Sequence, residues 1–228
     1  MYNRKLALAL ALYSVPYITS FPSFSPLLKP LPLLPSKLSM CDPAHVGGPE
    51  KDATQRSNKL TGKTVMITGG SGGIGASMAK EAARRGAGRI ILLSRNEEGM
   101  KEVKVKIEKD MQLKGGVEVV VCDLVNGEDR GRKVREVLGR GNVDVLVNNA
   151  GCSQRGTFQE TGTSVVRGMF ELNFFAGVEV LEMCLPGMRE GKGKVVWISS
   201  VQGVLALPGR AGYSGSKHAV DGFCRSLR

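Results

Sequence analysis

From residue 63 onward, short runs of β-branched and other apolar residues alternate with longer stretches of helical character. The runs are uniformly apolar instead of apolar at every second residue, which is typical of parallel strands covered by helices on both faces. Helices are predicted near residues 74–85, 97–113, 128–138 and 163–185, with a last one starting near Gly212. The predicted strands are Thr64–Thr68, Arg89–Leu93, Val117–Val121, Val143–Val147 and Val195–Ile198. The alternation predicts an α/β fold with a doubly wound parallel sheet.

Residues 1–41 differ in composition from the rest of the chain. They contain no acidic residue, and Arg4 and Lys5 precede an uncharged stretch, 6–28, that is long enough to cross a bilayer as a helix. Prolines interrupt this stretch, and its most apolar part, 6–12, is short enough for a cleaved signal. We therefore interpret 1–41 as a targeting or membrane-anchor segment, with an anchor, a cleaved signal or transit peptide, and an unstructured extension as alternatives. Residues 42–60 are predicted to be a linker and 61–228 a single globular domain.

A glycine-rich turn, Thr68-Gly69-Gly70-Ser71-Gly72-Gly73-Ile74-Gly75, lies directly between the first predicted strand and the first predicted helix. Glycines let the backbone approach a pyrophosphate closely, and the N–H groups at the start of a helix favour its charge. In this βαβ context the turn predicts a dinucleotide site in a Rossmann-type sheet, with a plain connecting loop as the alternative. The cofactor-binding residues predicted here are Thr68, Gly69, Ser71, Gly73, Ile74 and Gly75.

The second predicted strand leads into Ser94-Arg95, at the place where dinucleotide folds often carry an acid for the ribose hydroxyls. The missing acid and the guanidinium both favour a 2′-phosphate. NADP(H) is therefore the predicted cofactor in preference to NAD(H), with Ser94 and Arg95 as binding residues. The alternative for Arg95 is an ordinary surface position.

Tyr213 and Lys217 lie four residues apart on the last predicted helix, so that their side chains project from the same face. An ammonium near a phenol favours ionisation of the phenol, whose free pKa is ~10, and so favours proton exchange with a substrate oxygen. Ser199 and Ser200 end the preceding strand at the carboxyl edge of the sheet, where open α/β sheets bind ligands. Alone, a tyrosine and a lysine at this spacing are an ordinary pair on a helix surface.

Taken together, these motifs resemble those of the classical short-chain dehydrogenase/reductase family over about residues 63–228. The glycine turn matches the family's TGxxxGxG, residues 148–151 match its NNAG, and Tyr213 with Lys217 matches its YxxxK. Ser200, thirteen residues before Tyr213, falls at the family's catalytic serine, and Asn173 falls at its catalytic asparagine. Within the family, residues 148–156, 198–203 and 211–219 are similar to the membrane-associated branch of members 7 and 7B.

The resemblance implies hydride transfer between NADP(H) and a carbonyl or secondary alcohol, and the branch implies a lipid-, steroid- or retinoid-like substrate. Tyr213 would exchange the proton and Ser200 would hydrogen-bond the substrate oxygen. Lys217 would hold the ribose hydroxyls and lower the tyrosine pKa, while Asn173 would hold a water in a proton relay. The resemblance also implies cofactor contacts, shared with Tyr213 and Lys217, at Asp123 on the adenine side, at Asn149 on the nicotinamide side, and at Ala150 and Gly151. For Asp123 and Asn149, formation of a local turn is the alternative. For Ser199 and Ser200 the alternative is a turn-forming serine, and for Asn173 it is a buried amide with a structural role only.

Only eleven residues follow Lys217, whereas classical family members continue with two further strands and a segment that covers the substrate. We therefore expect the last strands of the sheet to be missing. A catalytically silent nucleotide-binding or scaffolding product is the alternative function. A family-like homodimer is expected to be weakened, because the last helix belongs to its usual interface. The branch implies membrane association, at the endoplasmic reticulum, with another organelle or the cytoplasm as alternatives.

The net charge of +11 does not by itself identify a nucleic-acid-binding protein. Lys and Arg are dispersed along helices such as 101–109, where Glu102 and Glu108 intervene, and a phosphate-bearing cofactor and solvated helix faces account for the excess. No nucleic-acid partner is predicted. The five cysteines form no CxxC pair, and neither His45 nor His218 has a set of metal-binding neighbours, so no metal site is predicted.

Overall fold

One parallel sheet of five strands organises the part of the chain that the computed structural model describes, residues 59–110 and 116–227. The strand order is β3-β2-β1-β4-β5, and every neighbouring pair is parallel. Because β1 lies in the middle and the chain winds outward on both sides, this is the Rossmann-type arrangement that the sequence predicts. The strands are β1 (Thr64–Thr68), β2 (Arg89–Ser94), β3 (Val117–Val121), β4 (Val145–Asn148) and β5 (Lys194–Trp197).

Helices cover both faces of the sheet, as predicted. The first two helices pack on one face, where Ile67 and Leu92 meet Ala79 and Ile107. Three later helices pack on the other face around Met66 and its neighbours. The helices are α1 (Gly73–Arg84), α2 (Glu97–Asp110), α3 (Gly127–Leu138), α4 (Phe158–Phe170), α5 (Ala176–Glu190) and α6 (Ala211–Ser226). A 3₁₀ turn, Val201–Gly203, precedes α6.

Continuous apolar sequence corresponds to full burial only in the middle of the sheet. All residues of β1 after Thr64 are buried, as are the four central residues of β2. The outer strand β3 is different, because Glu118 and Val119 are half-buried and Val121 is exposed. The expectation that both faces of every strand are covered is therefore wrong at this edge, where β3 has β2 as its single neighbour among the described strands.

The predicted helix 163–185 is in fact two helices joined by a π-helical turn. The first, α4, begins earlier than predicted because Thr157 and Glu160 form a capping box. Gly162 has a positive φ of 65° and kinks α4 near its start. The π turn, Glu171–Phe175, then connects α4 directly to α5. Such a turn accommodates one extra residue per turn and often occurs at functional sites.

The predicted anchor segment 1–41 and most of the predicted linker lie outside the described residues. Leu60, at the end of that linker, packs against the apolar cluster under α1 and α2, and its N–H donates to the Arg85 carbonyl at 3.1 Å. Among the described residues, no helix has both the length and the apolar character that a bilayer crossing needs.

Close packing between α5 and β5 depends on Gly177. The Trp197 indole lies in an aromatic cluster, with ring centroids 6.4 Å from Phe174 and 5.7 Å from Phe223. A Cβ atom added to Gly177 would lie 2.5 Å from Trp197 Cζ2. No side chain therefore fits at this position unless the indole or the helix moves.

We expect Gly177→Ala to lower the free energy of unfolding by about 1–3 kcal/mol, since overpacking against Trp197 outweighs the helix preference of alanine. Gly168→Ala is the matched control, because Gly168 lies in α4 with nothing within 4 Å of an added Cβ. Alanine there should stabilise by about 0.5–1 kcal/mol. Urea denaturation of both variants tests this, and equal effects would contradict the packing argument.

Candidate active site

A cleft of about 490 Å³ opens at the carboxyl edge of the sheet. It lies where α/β sheets of this order bind their ligands, at the point where the strand order reverses between β1 and β4. The sequence-predicted residues in its wall are Gly69, Ser71, Ile74, Ser94, Arg95, Asp123, Asn149, Ala150, Gly151, Tyr213 and Lys217. Four other predicted residues support the wall without lining it, namely Thr68, Gly73, Gly75 and Asn173. Ser200 also lies beside the wall, whereas its neighbour Ser199 lines it.

The glycine turn is held so close to neighbouring backbone that two of its positions admit no side chain. Gly69 has a φ of 68°, and an added Cβ would lie 2.9 Å from Ala150 Cα. At Gly75 an added Cβ would lie 2.4 Å from the Gly69 carbonyl oxygen. At Gly72 and Gly73, in contrast, an added Cβ would contact nothing within 4 Å. The start of α1 therefore faces open space, with its first N–H groups available to an anion.

A hydrogen-bonded clamp between Thr68 and Asn149 joins the ends of β1 and β4 beneath this turn. The Thr68 hydroxyl accepts from the N–H groups of Asn149 and Ala150, both at 3.0 Å, and donates to the Val147 carbonyl at 3.4 Å. The Asn149 amide donates to the carbonyls of Thr68 and Gly69 at 2.9 and 3.1 Å. Thr68 and Asn149 thus hold the ends of β1 and β4 together at the floor of the cleft, and Asn149 also lines the cleft.

The end of β2 provides polar and basic groups on the same side of the cleft. The hydroxyl oxygens of Ser71 and Ser94 lie 3.0 Å apart, which joins the glycine turn to β2. Arg95 is exposed at the rim. Asp123 is the one acidic residue in the described wall, and its Oδ1 accepts from the Val125 N–H at 3.1 Å. Asp123 therefore forms the local turn anticipated as an alternative and also faces the cleft.

Tyr213 and Lys217 share the opposite wall, on the first turns of α6. The Lys217 ammonium lies 5.8 Å from the centre of the Tyr213 ring, donates to the Ile198 carbonyl at 2.8 Å and is only 5% exposed. Burial lowers the Lys217 pKa from 10.5 to about 8, because a low-dielectric environment disfavours the charged form. The cation is therefore held in the wall at a measurable electrostatic cost.

The hydroxyl of Ser200 caps the short 3₁₀ turn, accepting from the Gln202 N–H at 3.2 Å. An acceptor role leaves the hydroxyl hydrogen of Ser200 available for donation. Ser199 is buried and is the serine that forms part of the cleft wall. Since the two serines are adjacent at the end of a strand, sequence spacing alone does not decide which hydroxyl faces a ligand.

Asn173 lies inside the π turn, is 1% exposed and is fully engaged within the protein. Its amide nitrogen donates to the Cys152 carbonyl and to the Ser216 hydroxyl, both at 3.0 Å, and its oxygen accepts from the Cys152 N–H at 2.8 Å. Both amide hydrogens are therefore used in holding the segment after β4 against α6. A relay water would have to bind elsewhere on Asn173 than at its amide hydrogens.

Sequence reasoning missed several wall residues, among them the buried Cys122 and the exposed Cys152. The free thiol of Cys152 lies in the cleft directly after the NNAG motif, with its sulfur 3.9 Å from that of Met169. Burial raises the pKa of the Cys152 thiol, and the positive charges of Arg95 and Lys217 partly oppose this. Its position after the motif was the available signal. The apolar wall residues Leu124, Leu172 and Ile198 carried no comparable signal.

The Lys217 pKa is about 8 in the folded chain, whereas its ordinary value is 10.5. Between pH 8 and pH 10.5 the unfolded chain therefore binds more protons at Lys217 than the folded chain does. The free energy of unfolding should rise with pH through this window. We expect Lys217→Met to be more stable than wild type by about 2 kcal/mol at pH 7, an advantage that shrinks towards pH 10. Denaturant titrations at both pH values measure it. Lys106→Met, at an exposed site, is the control and should stay within about 0.5 kcal/mol of wild type at pH 7.

Comparisons with known proteins agree with this geometry. Residues 63–228 match the sequence profile of the short chain dehydrogenase family. The chain is 36% identical over 181 residues to dehydrogenase/reductase SDR family protein 7-like of Anopheles gambiae, covering 76% of this chain and 56% of that protein. It is 35% identical over 173 residues to dehydrogenase/reductase SDR family member 7 of Homo sapiens, covering 75% and 51%. The chain thus spans about half the length of the curated relatives it matches.

Solved structures give the same result. A short-chain dehydrogenase from Streptomyces avermitilis superposes with a TM-score of 0.67 at 35% identity, over 73% of this chain and 60% of that one. An alcohol dehydrogenase from the archaeon Thermococcus sibiricus, complexed with 5-hydroxy-NADP, superposes with a TM-score of 0.67 at 25% identity, over 72% and 69%. The chain therefore belongs to the short-chain dehydrogenase/reductase family.

Proposed function

We propose that this chain carries the cofactor-binding and catalytic residues of an NADP(H)-dependent oxidoreductase that interconverts a carbonyl group and a secondary alcohol. The observation that supports it is the position of Tyr213 and Lys217, which line the same cleft as the glycine turn. A proton donor, a buried cation and an anion-binding helix start thus meet at one edge of the sheet. Proton transfer next to a bound dinucleotide is the chemistry that this combination serves.

The residues of the cleft are suited to a dinucleotide that carries a 2′-phosphate. The cofactor, when bound, supplies or accepts the hydride. The glycine turn would hold the pyrophosphate against the start of α1, and Asn149 with Ala150 would line the nicotinamide side. Ser94 and Arg95 would hold the 2′-phosphate, since no carboxylate stands at the end of β2 to repel it. The NADP derivative bound by the archaeal alcohol dehydrogenase is consistent with this preference.

Tyr213 is the proposed acid in reduction and the proposed base in oxidation. After it has given its proton to a carbonyl oxygen, the nearby Lys217 ammonium would stabilise the phenolate that remains. Lys217 would also hydrogen-bond the ribose. Ser200 would donate its free hydroxyl hydrogen to the substrate oxygen. For Asn173 we propose two roles. Its hydrogen bonds to Cys152 position the wall of the cleft, and it also holds the water of the predicted proton relay.

An exposed apolar segment shortly before α6 in the chain supports a substrate with a lipid- or steroid-like body. Val204, Leu205 and Leu207 are 62%, 62% and 50% exposed. Their segment is joined to the loop after β4 by the hydrogen bond from Gly156 N–H to the Gly209 carbonyl at 3.1 Å. Exposed apolar side chains grouped in one short segment are typical of a surface that binds an apolar ligand.

We expect Tyr213→Phe to abolish turnover with NADPH and a panel of apolar ketones, while leaving NADPH affinity within about threefold of wild type. The variant removes the phenol oxygen and keeps the aromatic ring as part of the cleft wall. Stopped-flow or steady-state oxidation of NADPH gives the rate, and quenching of protein fluorescence gives the affinity. Turnover that persists at the wild-type rate would overturn the role of Tyr213.

The same measurements separate the two functions considered for this chain. A wild-type chain that binds NADPH but reduces no member of the panel supports a silent nucleotide-binding or scaffolding product. A wild-type chain with turnover that depends on Tyr213 supports the enzyme.

We expect Arg95→Ser to weaken NADPH binding by about 10–100-fold, the range for loss of a charge-assisted contact, and to leave NADH binding nearly unchanged. Arg155→Ser is the matched control, because Arg155 is another exposed arginine in the nearby loop after β4 but does not line the cleft. Isothermal titration with both dinucleotides measures the ratio. An equal loss for NADPH and NADH would refute the 2′-phosphate assignment.

We propose that residues 1–41 attach the enzyme to a membrane, at the endoplasmic reticulum, on the basis of their charge and apolar pattern. We also propose a homodimer, supported by Phe175, which is 47% exposed beside a groove formed with Val166 and Phe170. A second copy of the chain would cover this apolar surface.

A further inference from the structure

We propose that Arg130 is a positioning residue that couples the adenosine end of the cleft, formed by Asp123 and Leu124, to the π turn that carries Asn173. The proposal rests on the proposed function for the identity of the ligand at that end. It concerns a residue that lies outside the cleft and belongs to none of the motifs.

Arg130 is a buried cation whose bonds reach three different elements. It lies on α3 and is 1% exposed. Its guanidinium donates to the Leu124 carbonyl, which follows β3, and to Glu171 Oε1 at 3.1 Å, at the start of the π turn. It also donates to Glu179 on α5, through Nε at 3.1 Å and through a second, shorter bond from Nη2. A planar fork with several donors is suited to linking elements in this way.

Two of these attachments adjoin the cleft wall. Leu124 itself lines the cleft, and so does Leu172, which follows Glu171 in the π turn. Both leucines also border a small internal cavity of about 10 Å³, together with Asn173. A ligand that shifts Leu124 therefore acts on the π turn by two routes, through the side chains around this cavity and through Arg130. Only the second route depends on charge.

The effect of Arg130 on the π turn can be tested without a large loss of stability if the right carboxylate partner of Arg130 is replaced. Glu179 accepts two bonds from Arg130 and Glu171 accepts one. Arg130 keeps the Glu179 carboxylate as a partner, so that replacement of Glu171, whose side chain is 34% exposed, by glutamine leaves no buried, unpaired cation. Glu171→Gln should therefore loosen the attachment of the π turn while leaving Arg130 fixed to Glu179 and Leu124.

The test uses adenosine 2′,5′-bisphosphate, a fragment that fills the adenosine end without reaching Tyr213, and hydrogen exchange of the amides in residues 171–175. In the wild-type chain we expect saturating fragment to slow this exchange by about fivefold, the lower range for coupling between sites. In Glu171→Gln the fragment should still bind, by calorimetry, but should slow the exchange less than twofold. Glu136→Gln, which removes a surface partner of Arg132 on the same helix, is the control and should behave like the wild type.

The outcomes distinguish this proposal from the proposed function. Protection of 171–175 that is equal in wild type and Glu171→Gln would overturn the role of Arg130 and leave the enzyme assignment intact. Fragment binding without any protection in wild type would overturn it as well. If neither the fragment nor NADPH bound to the wild-type chain, the proposed function would fail, and the coupling with it. Arg130→Lys, which keeps the charge and loses the fork, should show the same loss of protection in its folded fraction.

Discussion

The clamp between Thr68 and Asn149 is the interaction on which the rest of the site depends. It satisfies two backbone N–H groups at the end of β4 with one hydroxyl, and it satisfies the carbonyls of the glycine turn with one amide. Thr68 is buried and the groups it holds are half-buried, so loss of these hydrogen bonds would cost up to about 1–3 kcal/mol each. With the two strand ends held together, Gly69 can pass close to Ala150. Beside Gly69 the backbone is therefore exposed to the cleft without an intervening side chain, which lets a ligand approach it closely.

The opposite wall follows a different physical rule, because its central group is kept there at a cost. Lys217 is buried in the wall with a lowered pKa and one carbonyl partner, Ile198. A negatively charged or hydroxyl-rich ligand beside the ammonium would recover part of the lost solvation. The position of Lys217 is thus unfavourable to the free chain and would become favourable in a complex with such a ligand. Such a balance is typical of residues selected for function and not for stability.

Much of the fold could be predicted from the sequence, because its signals are local. The strand bounds of β1 and β3 agree with the apolar runs, and the glycine turn occupies the expected place before α1. The kinked α4 and the π turn were not foreseen, because the buried residues Met169, Asn173, Ala176, Val180 and Cys184 keep the three- and four-residue spacing of a continuous helix. The network of Arg130 was missed for another reason. Its partners Glu171 and Glu179 are more than forty residues away in the chain, and only the packed helices bring them together.

The π turn explains why these two networks meet at one place. Asn173 faces the segment after β4 and α6, and Glu171, two residues earlier, faces α3. Residues two apart in a helix direct their side chains to roughly opposite sides. The π turn can therefore be bonded on one side through Asn173 and on the other through Glu171. A neutral amide holds it on the cleft side and a buried cation on the far side. The position of Asn173 is therefore determined jointly by the two networks, and a change in either should alter the same wall of the cleft.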